Sequence, residues 1–292
     1  PGDVVADRVV AGRGDPGTLV ARCRWVHVGG LEDGCGRTTV TAGLAMALAA
    51  SRRDRIIAVD VCPDQPGMLA ARLGPSSGYG PGHGPGHAPG RGDLARAGGL
   101  PAPLLPEVRR FVPSAGRTGR TGPAGQGPGP VGLDVLLGAP GADVFGRSVE
   151  EVGRALDVVE DWYEVALVDG PPGWGRPLPA ALLARADTLV VAARAGFVTL
   201  SAVDDALAAL ADSGRGDLAD SVAIAVVETV PTRWSGRARR RLARLAERAH
   251  SIVVVPFDPM LADGRPFTWS GLRRRTRAAF GELAAAVEAG PG

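Results

Sequence analysis

Residues 24–39 read RWVHVGGLEDGCGRTT, and this stretch decides the fold. It begins with a short extended run at 24–28, continues through a glycine-containing turn at 29–36, and leads into a helix-like segment at 38–51. A strand, a glycine-rich turn and a helix in this order direct backbone N–H groups and a helix N-terminus at an anion. The stretch therefore predicts a phosphate-binding loop.

The side chains of this loop suit a nucleotide with a bound metal ion. Gly34 and Gly36 permit the turn, Arg37 stands where a phosphate-binding Lys is usual, and the Thr38 hydroxyl suits Mg²⁺. Leu31 replaces the first Gly of the strict motif, so the loop alone is a weak match. The residues predicted here to bind nucleotide are Gly34, Cys35, Gly36, Arg37, Thr38 and Thr39.

Two later strands end in carboxylates. Asp60 closes the apolar run RIIAVDV at 55–61, and Asp169 lies within EVALVDGPPG at 164–173. A carboxylate at a strand end beside a phosphate site can orient Mg²⁺ and water. We therefore predict a metal site of Thr38, Asp60 and Asp169, bound partly through water. Helix capping or turn chemistry is the alternative role for both aspartates.

The remaining pattern alternates strands with helices. Strands are predicted at 132–138, 165–168, 188–192, 222–227 and 252–255, and helices at 149–162, 200–213, 235–250 and 271–288. Such alternation indicates βαβ units and a doubly wound, mostly parallel α/β sheet. Val26, Val59, Val168 and Val190 are expected in central strands.

Composition bounds the class of protein. Of the 292 residues 45% are apolar, and the net charge of +2 argues against a generally basic nucleic-acid coat. All 33 basic residues are Arg, so Arg37 is also explained by drift in a chain without Lys. Cys23, Cys35 and Cys62 form no C-x-x-C pair and are expected to be free thiols. Free thiols are typical of proteins in the reducing cytoplasm, so we expect the protein to be cytoplasmic. The sequence contains no apolar run of about 18 residues, so it predicts no membrane-spanning helix.

We expect one domain with two irregular segments. Residues 1–22 are predicted to be a flexible tail, and residues 23–288 the nucleotide-binding domain. Nearly half of residues 74–130 are Gly or Pro, which predicts a mobile insertion with one ordered island near 108–112. Because the chain begins at Pro1, we expect it to be a fragment of a longer protein.

Taken together, these motifs resemble the MinD/ParA family of P-loop ATPases, and most closely its MinD-like members from high-GC actinobacteria. Residues 32–39 are similar to the family's deviant phosphate loop KGGVGKTT. The resemblance covers residues 23–288 except the insertion. Its other segments are Asp60 followed by Pro63, Asp64 and Gly67; Asp169–Gly173; and Val255–Pro259.

The resemblance implies ATP or ADP with Mg²⁺ as cofactors, and an organising role in chromosome or septum positioning or in a secretion or pilus system. It also implies nucleotide contacts from Pro256 and Asp258, and catalytic roles for Asp60 and Arg37. A fully active Mg²⁺-dependent ATPase and a nucleotide-free scaffold remain alternatives.

Several positions depart from the family pattern. Carboxylates beside a triphosphate oppose its binding, and loss of one transition-state contact slows catalysis by about 10²–10³-fold. We therefore expect weak or lost hydrolysis, and we doubt an ATP-driven homodimer. The departures are Glu32 for the signature Lys, Asp33 for Gly, Arg37 for Lys, Cys62 for the second acidic residue, and Glu228 or Thr229 for the adenine-binding Asn.

Two segments of the sequence are candidate surfaces for partner contacts. The Arg-rich segment Arg233–Arg248 is either a solvated helix face or a patch for an acidic protein partner or non-specific DNA. The last predicted helix places its apolar residues on one face, which favours docking onto the domain over membrane binding. These residues are Leu272, Ala279, Phe280, Leu283 and Val287.

Overall fold

The structure is a computed structural model, and it describes residues 22–52, 54–62, 68–73, 114–115, 133–136 and 149–290. The predicted tail, apart from Arg22, lies outside the described residues. So does the insertion except for 114–115, together with its island at 108–112. Pro63, Asp64 and Gly67 also lie outside them.

In the described part of the chain, eight strands form one sheet in the order β3-β4-β2-β5-β1-β6-β7-β8. All neighbouring strands are parallel except β3 and β4, which pair antiparallel. The strands are β1 (Arg24–Gly29), β2 (Ile56–Asp60), β3 (Ser114–Ala115), β4 (Leu133–Leu136), β5 (Val165–Asp169), β6 (Thr188–Arg194), β7 (Ala223–Val227) and β8 (Ser251–Val255).

The predicted parallel core is confirmed. Val26, Val59, Val168 and Val190 lie in β1, β2, β5 and β6, the four strands in the middle of the sheet order. Each of the four side chains is almost wholly buried. The fold is the doubly wound α/β arrangement that the alternating pattern indicated.

Helices cover both faces of the sheet, which explains why the strands are apolar on both sides. The helices are α1 (Arg37–Ser51), α2 (Met68–Leu73), α3 (Val149–Trp162), α4 (Pro177–Arg185), α5 (Phe197–Asp212), α6 (Gly216–Asp220), α7 (Gly236–Ala246), α8 (Pro259–Ala262) and α9 (Arg274–Ala289), with a 3₁₀ turn at Trp269–Gly271. The sequence did not predict α2, α4, α6 or α8, since short segments carry little periodicity.

Helices α1 and α9 pack together on one face of the sheet. Gly43 lets them approach, because a β-carbon there would overlap the ring of Phe280. The apolar face of α9 is buried against the domain, as predicted: Ala279, Phe280, Leu283 and Val287 are buried, and so is Leu272 just before the helix. In the part of the chain that the structure describes, no helix combines the length and apolar character needed to cross a bilayer.

Candidate functional site

The loop between β1 and α1 has the shape of an anion cradle. Gly34 and Gly36 have φ angles of 70° and 96°, in the left-handed region that favours glycine. A β-carbon on Gly36 would also lie 3.1 Å from Cγ2 of Val227 on β7. The first turn of α1 contains no acidic residue, and no side chain among the described residues caps it. Its N–H groups and helix dipole therefore favour a negatively charged ligand.

A cavity of about 270 Å³ opens at this loop, at the carboxyl edge of the parallel strands. Ligands of doubly wound sheets bind at this edge. The cavity brings together the following predicted residues: Gly34, Gly36, Arg37, Thr38 and Thr39 from the loop, with Pro256 and Asp258 after β8. Cys35 does not line the cavity; its side chain is buried in the core.

The side chain of Arg37 is held within the protein. Its Nη1 donates to the carbonyl oxygen of Gly170, and its Nη2 lies 3.1 Å from Oδ1 of Asp33. Only 9% of the Arg37 side chain is exposed, against 72% for Asp33. The guanidinium that stands at the phosphate-binding position is thus already bonded to a carbonyl and a carboxylate.

Glu32, at the position of the family's signature Lys, turns away from the cavity. Its Oε1 accepts hydrogen bonds from Nε of Arg194 at 2.9 Å and from the hydroxyl of Thr199 at 3.1 Å. These bonds hold the pKa of the Glu32 carboxyl below its usual value, with Arg194 contributing most. The expectation that both carboxylates face the phosphates therefore needs correction: Asp33 lines the cavity, and Glu32 is neutralised by Arg194.

Asp60 and Asp169 are neighbours at the ends of β2 and β5, where they are paired in register. Both are buried. Burial and the nearby Asp60 carboxylate raise the pKa of Asp169 to about 7, while the hydroxyls of Thr38 and Thr41 act in the opposite direction. The structure thus gathers the three predicted metal ligands, two carboxylates and the Thr38 hydroxyl, behind the phosphate loop.

Segments that follow β7 and β8 also line the cavity. Oε1 of Glu228 accepts the indole N–H of Trp234 at 2.8 Å, and its Oε2 accepts the N–H of Phe257 at 3.3 Å. Glu228 and Thr229, the two candidates for the adenine-binding position, both line the cavity. A carboxylate offers only acceptors to a base, where an amide would offer both a donor and an acceptor.

Asp258 is predicted to contact the nucleotide, but its carboxylate is bonded within the protein. Its carboxylate accepts bonds from the N–H of Met260, the N–H of Arg273 at 2.9 Å and the hydroxyl of Thr276 at 2.7 Å. These bonds begin helix α8 and tie it to α9. The carboxylate thus serves the local fold, although the residue lines the cavity.

Sequence reasoning missed five residues of the cavity wall. They are Met68 and Arg72 of α2, Val227 at the end of β7, and Leu261 and Ala262 of α8. Both helices are too short to show a periodic pattern, so no signal in the sequence placed them near the phosphate loop.

The Arg-rich segment forms helix α7 on the surface. Arg241 and Arg248 both pair with Asp204, and Arg237 stacks on the ring of Phe197, 4.5 Å from its centroid. The side chains of Arg239, Arg240 and Arg244 are exposed. Part of the segment is thus a set of intramolecular contacts, and part is a free basic face.

Comparisons with known proteins extend over nearly the whole chain. No family profile matches it. The ESX-1 secretion-associated protein EspI of Mycobacterium tuberculosis, in strains CDC 1551 and H37Rv, is 26% identical over 266 residues, which is 90% of this chain and 36% of EspI. The chain therefore spans about a third of the length of these curated relatives.

Solved structures match the fold. A ParA family ATPase from Chlorobium tepidum superposes with a TM-score of 0.64 at 16% identity, covering 90% of this chain and 97% of that one. The septum site-determining protein MinD from Pyrococcus horikoshii, complexed with Mg-ADP, gives 0.61 at 16% identity, with 91% and 96% covered. The chain therefore has the P-loop fold of the MinD and ParA ATPases.

Proposed function

We propose that this chain is a MinD/ParA-like nucleotide-binding protein with weak or lost ATP hydrolysis, acting in the cytoplasm as an organising or regulatory factor. The observation that carries the proposal is the state of Arg37. A phosphate loop, a cavity and a strand-end carboxylate pair are all in place, but the loop's cation is bonded to Asp33 and Gly170. A nucleotide must compete with these bonds, which weakens its binding.

The ligands of this site fit Mg²⁺. All three are oxygen donors, and Asp60 and Asp169 form a buried acidic pair that a divalent cation would neutralise. We propose that Thr38 binds the metal through its hydroxyl, and that the two aspartates orient its bound water. When bound, Mg²⁺ would neutralise phosphate charge. Asp60 and Arg37 are the candidate catalytic residues.

Weak hydrolysis follows from two replacements. Cys62 stands where the family has the acidic residue that positions the attacking water, and a thiol is a weaker acceptor than a carboxylate. Glu32 stands at the position of the signature Lys, and a carboxylate cannot supply the positive charge that this Lys brings to a partner's nucleotide. Glu32 bonds instead to Arg194 and Thr199 of its own chain. For the same reason we propose that ATP does not drive homodimer formation.

The organising role is supported by the likeness to EspI, whose name associates it with ESX-1 secretion. Of the two organising roles, we propose support of a secretion system as the first choice and chromosome or septum positioning as the second. The basic face of α7, with exposed Arg239, Arg240 and Arg244, is the candidate surface for an acidic protein partner, with non-specific DNA as the alternative.

Specific observations favour each alternative function. The assembly of Thr38, Asp60 and Asp169 favours an active ATPase. The internal bonds of Arg37 and the basic face of α7 favour a scaffold without nucleotide.

The deciding experiment is calorimetric titration of the protein with ATP and ADP, with and without Mg²⁺, together with a phosphate-release assay. We expect weak, Mg²⁺-dependent binding and turnover at least about 100-fold below that of an active ParA assayed in parallel. Thr38→Val, which keeps the shape of the side chain, should abolish the Mg²⁺ dependence. Thr199→Val is the matched control, since within the described part of the chain the Thr199 hydroxyl bonds to Glu32, outside the cavity. No binding at millimolar nucleotide would favour the scaffold, and turnover equal to that of ParA would favour the active ATPase.

A further inference from the structure

A second arginine lines the cavity. Arg72 lies on α2, and its Nη1 donates to the carbonyl oxygen of Leu261 at 2.9 Å. The backbone N–H of Phe267 in turn bonds to the carbonyl oxygen of Arg72 at 3.0 Å. Both ends of the residue are therefore fixed to the segment that follows β8, and the guanidinium has a defined place in the cavity wall.

Within the described residues, no carboxylate forms an ion pair with Arg72. Its Nε is buried without a hydrogen-bond partner, and burial lowers the pKa of the side chain. Three other partly buried arginines, Arg52, Arg185 and Arg241, each face a carboxylate, whereas Arg24 and Arg277 donate to backbone carbonyls as Arg72 does. What distinguishes Arg72 is that it lines the cavity at the phosphate loop. A partly buried cation without an anion is unfavourable, so this cavity is suited to an anionic ligand.

Arg72 shares the cavity with the phosphate loop. The wall is formed by residues 33–39, by segments that follow β7 and β8, and by the helices α2 and α8 that carry Arg72 and Leu261. A cation in the same cavity as the phosphate loop is a second candidate contact for a phosphate group.

We propose that Arg72 binds a phosphate group of a nucleotide in this cavity, and so supplies positive charge in place of Arg37, which is bonded within the protein. The inference rests on the proposed function, because it takes the cavity to be a nucleotide site. A guanidinium binds phosphate through several N–H donors at once, and it remains charged under all the conditions of such a site.

The test is calorimetric titration of AMP and ADP into the unaltered protein, Arg72→Met and Arg72→Gln. Met keeps the length of the side chain, and Gln keeps a donor for the Leu261 carbonyl, but neither is charged. Loss of a charge-assisted hydrogen bond predicts an affinity for ADP about 10- to 100-fold lower in both variants, and a matching loss for AMP would assign the contact to the ribose-proximal phosphate. The matched control is Arg277→Met, since Arg277 also donates to backbone carbonyls, at Ser270 and Leu272, but does not line the cavity.

Melting temperatures without ligand separate binding from structure. If Arg72 only holds Leu261, Arg72→Met lowers the melting temperature while Arg72→Gln keeps both stability and affinity, and the inference is overturned. Unchanged affinities in both variants also overturn it, while the proposed function stands.

If the unaltered protein binds neither nucleotide, the proposed function fails and pyrophosphate decides the inference. A rise in melting temperature with millimolar pyrophosphate that is lost in Arg72→Met and kept in Arg277→Met supports an anion site at Arg72. An equal rise in both variants, or none in the unaltered protein, overturns it.

Discussion

His27 offers a quantitative test of the interior beneath the phosphate loop. The residue lies in the central strand β1, and its ring packs against Gly29 and Gly170. It is buried, and neither ring nitrogen has a hydrogen-bond partner among the described residues. Burial lowers its pKa from 6.5 to about 4, the nearby Arg37 lowers it slightly further, and the backbone of Val168 opposes the shift. The imidazole is therefore neutral in the folded protein at pH 5–6.

The pKa values fix the sign of the effect. Below pH 6.5 His27 is protonated in the unfolded chain, whereas in the folded chain it stays neutral until the pH approaches 4. The stabilising contribution is therefore present above pH 6.5 and is lost as the pH falls to 4, and over this interval it amounts to about 3 kcal/mol. Asp169 has the opposite sign, because its raised pKa stabilises the fold at low pH and this contribution disappears as the pH rises through about 7.

We predict that His27→Leu is at least as stable as the unaltered protein at pH 7, since it removes two unpaired nitrogens. The difference in free energy of unfolding between His27→Leu and the unaltered protein should rise by about 2 kcal/mol as the pH falls from 7 to 4.5. The reason is that Leu does not titrate, whereas protonation of His27 in the unfolded chain destabilises the unaltered protein. The free energy of unfolding is measured by urea titration at each pH, with chelator present. His250→Gln, a change at an exposed histidine, is the matched control and should follow the unaltered protein. If the curves for His27→Leu and the unaltered protein run parallel, the interior does not hold a neutral histidine.

Three further predictions concern the nucleotide site. Sedimentation at millimolar Mg-ATP should show a monomer, because Glu32 is held by Arg194 of its own chain; a dimer formed only with ATP would contradict this. The triple change Glu32→Lys, Asp33→Gly and Arg37→Lys should tighten ATP binding roughly tenfold, because it removes the Asp33 carboxylate from the cavity wall and with it the ion pair that holds the cation at position 37; calorimetry would detect this as a lower Kd. Glu228→Asn should favour ADP over GDP by roughly fivefold relative to the unaltered protein in a competition titration, because an amide offers a base both a donor and an acceptor; an unchanged preference would place the base elsewhere.

Much of the fold could be predicted from local pattern. Helix 149–162 was predicted with the bounds that the structure has, and the predicted strands differ from the observed ones by at most two residues at each end. Buried parallel strands are continuous apolar runs, and βα connections have a fixed hand, so order along the chain constrains order in the sheet. The position of the phosphate loop follows from the same local signals, since the turn and the helix N-terminus are neighbours in sequence.

The partners of the charged side chains could not be predicted in this way. Glu32 meets Arg194 across 162 positions, and Arg37 meets the Gly170 carbonyl across 133. Such contacts depend on which strands are neighbours and on how the loops at their ends pack. A sequence pattern carries no information about the direction in which a long side chain turns once it reaches that edge.

The sequence by itself determined the class of fold, the four strands that lie at its centre and the place of the phosphate loop, because these depend on hydrophobic periodicity and on residues close together in the chain. Only the tertiary structure decided the electrostatics of the site. In the folded chain Glu32 points away from the cavity and Arg37 is bonded to Asp33 and Gly170. Arg72 lies in the cavity wall and forms no ion pair with a carboxylate among the described residues. The physical reason is that charge–charge and hydrogen-bond energies depend on distance and burial, which the packing of remote segments sets.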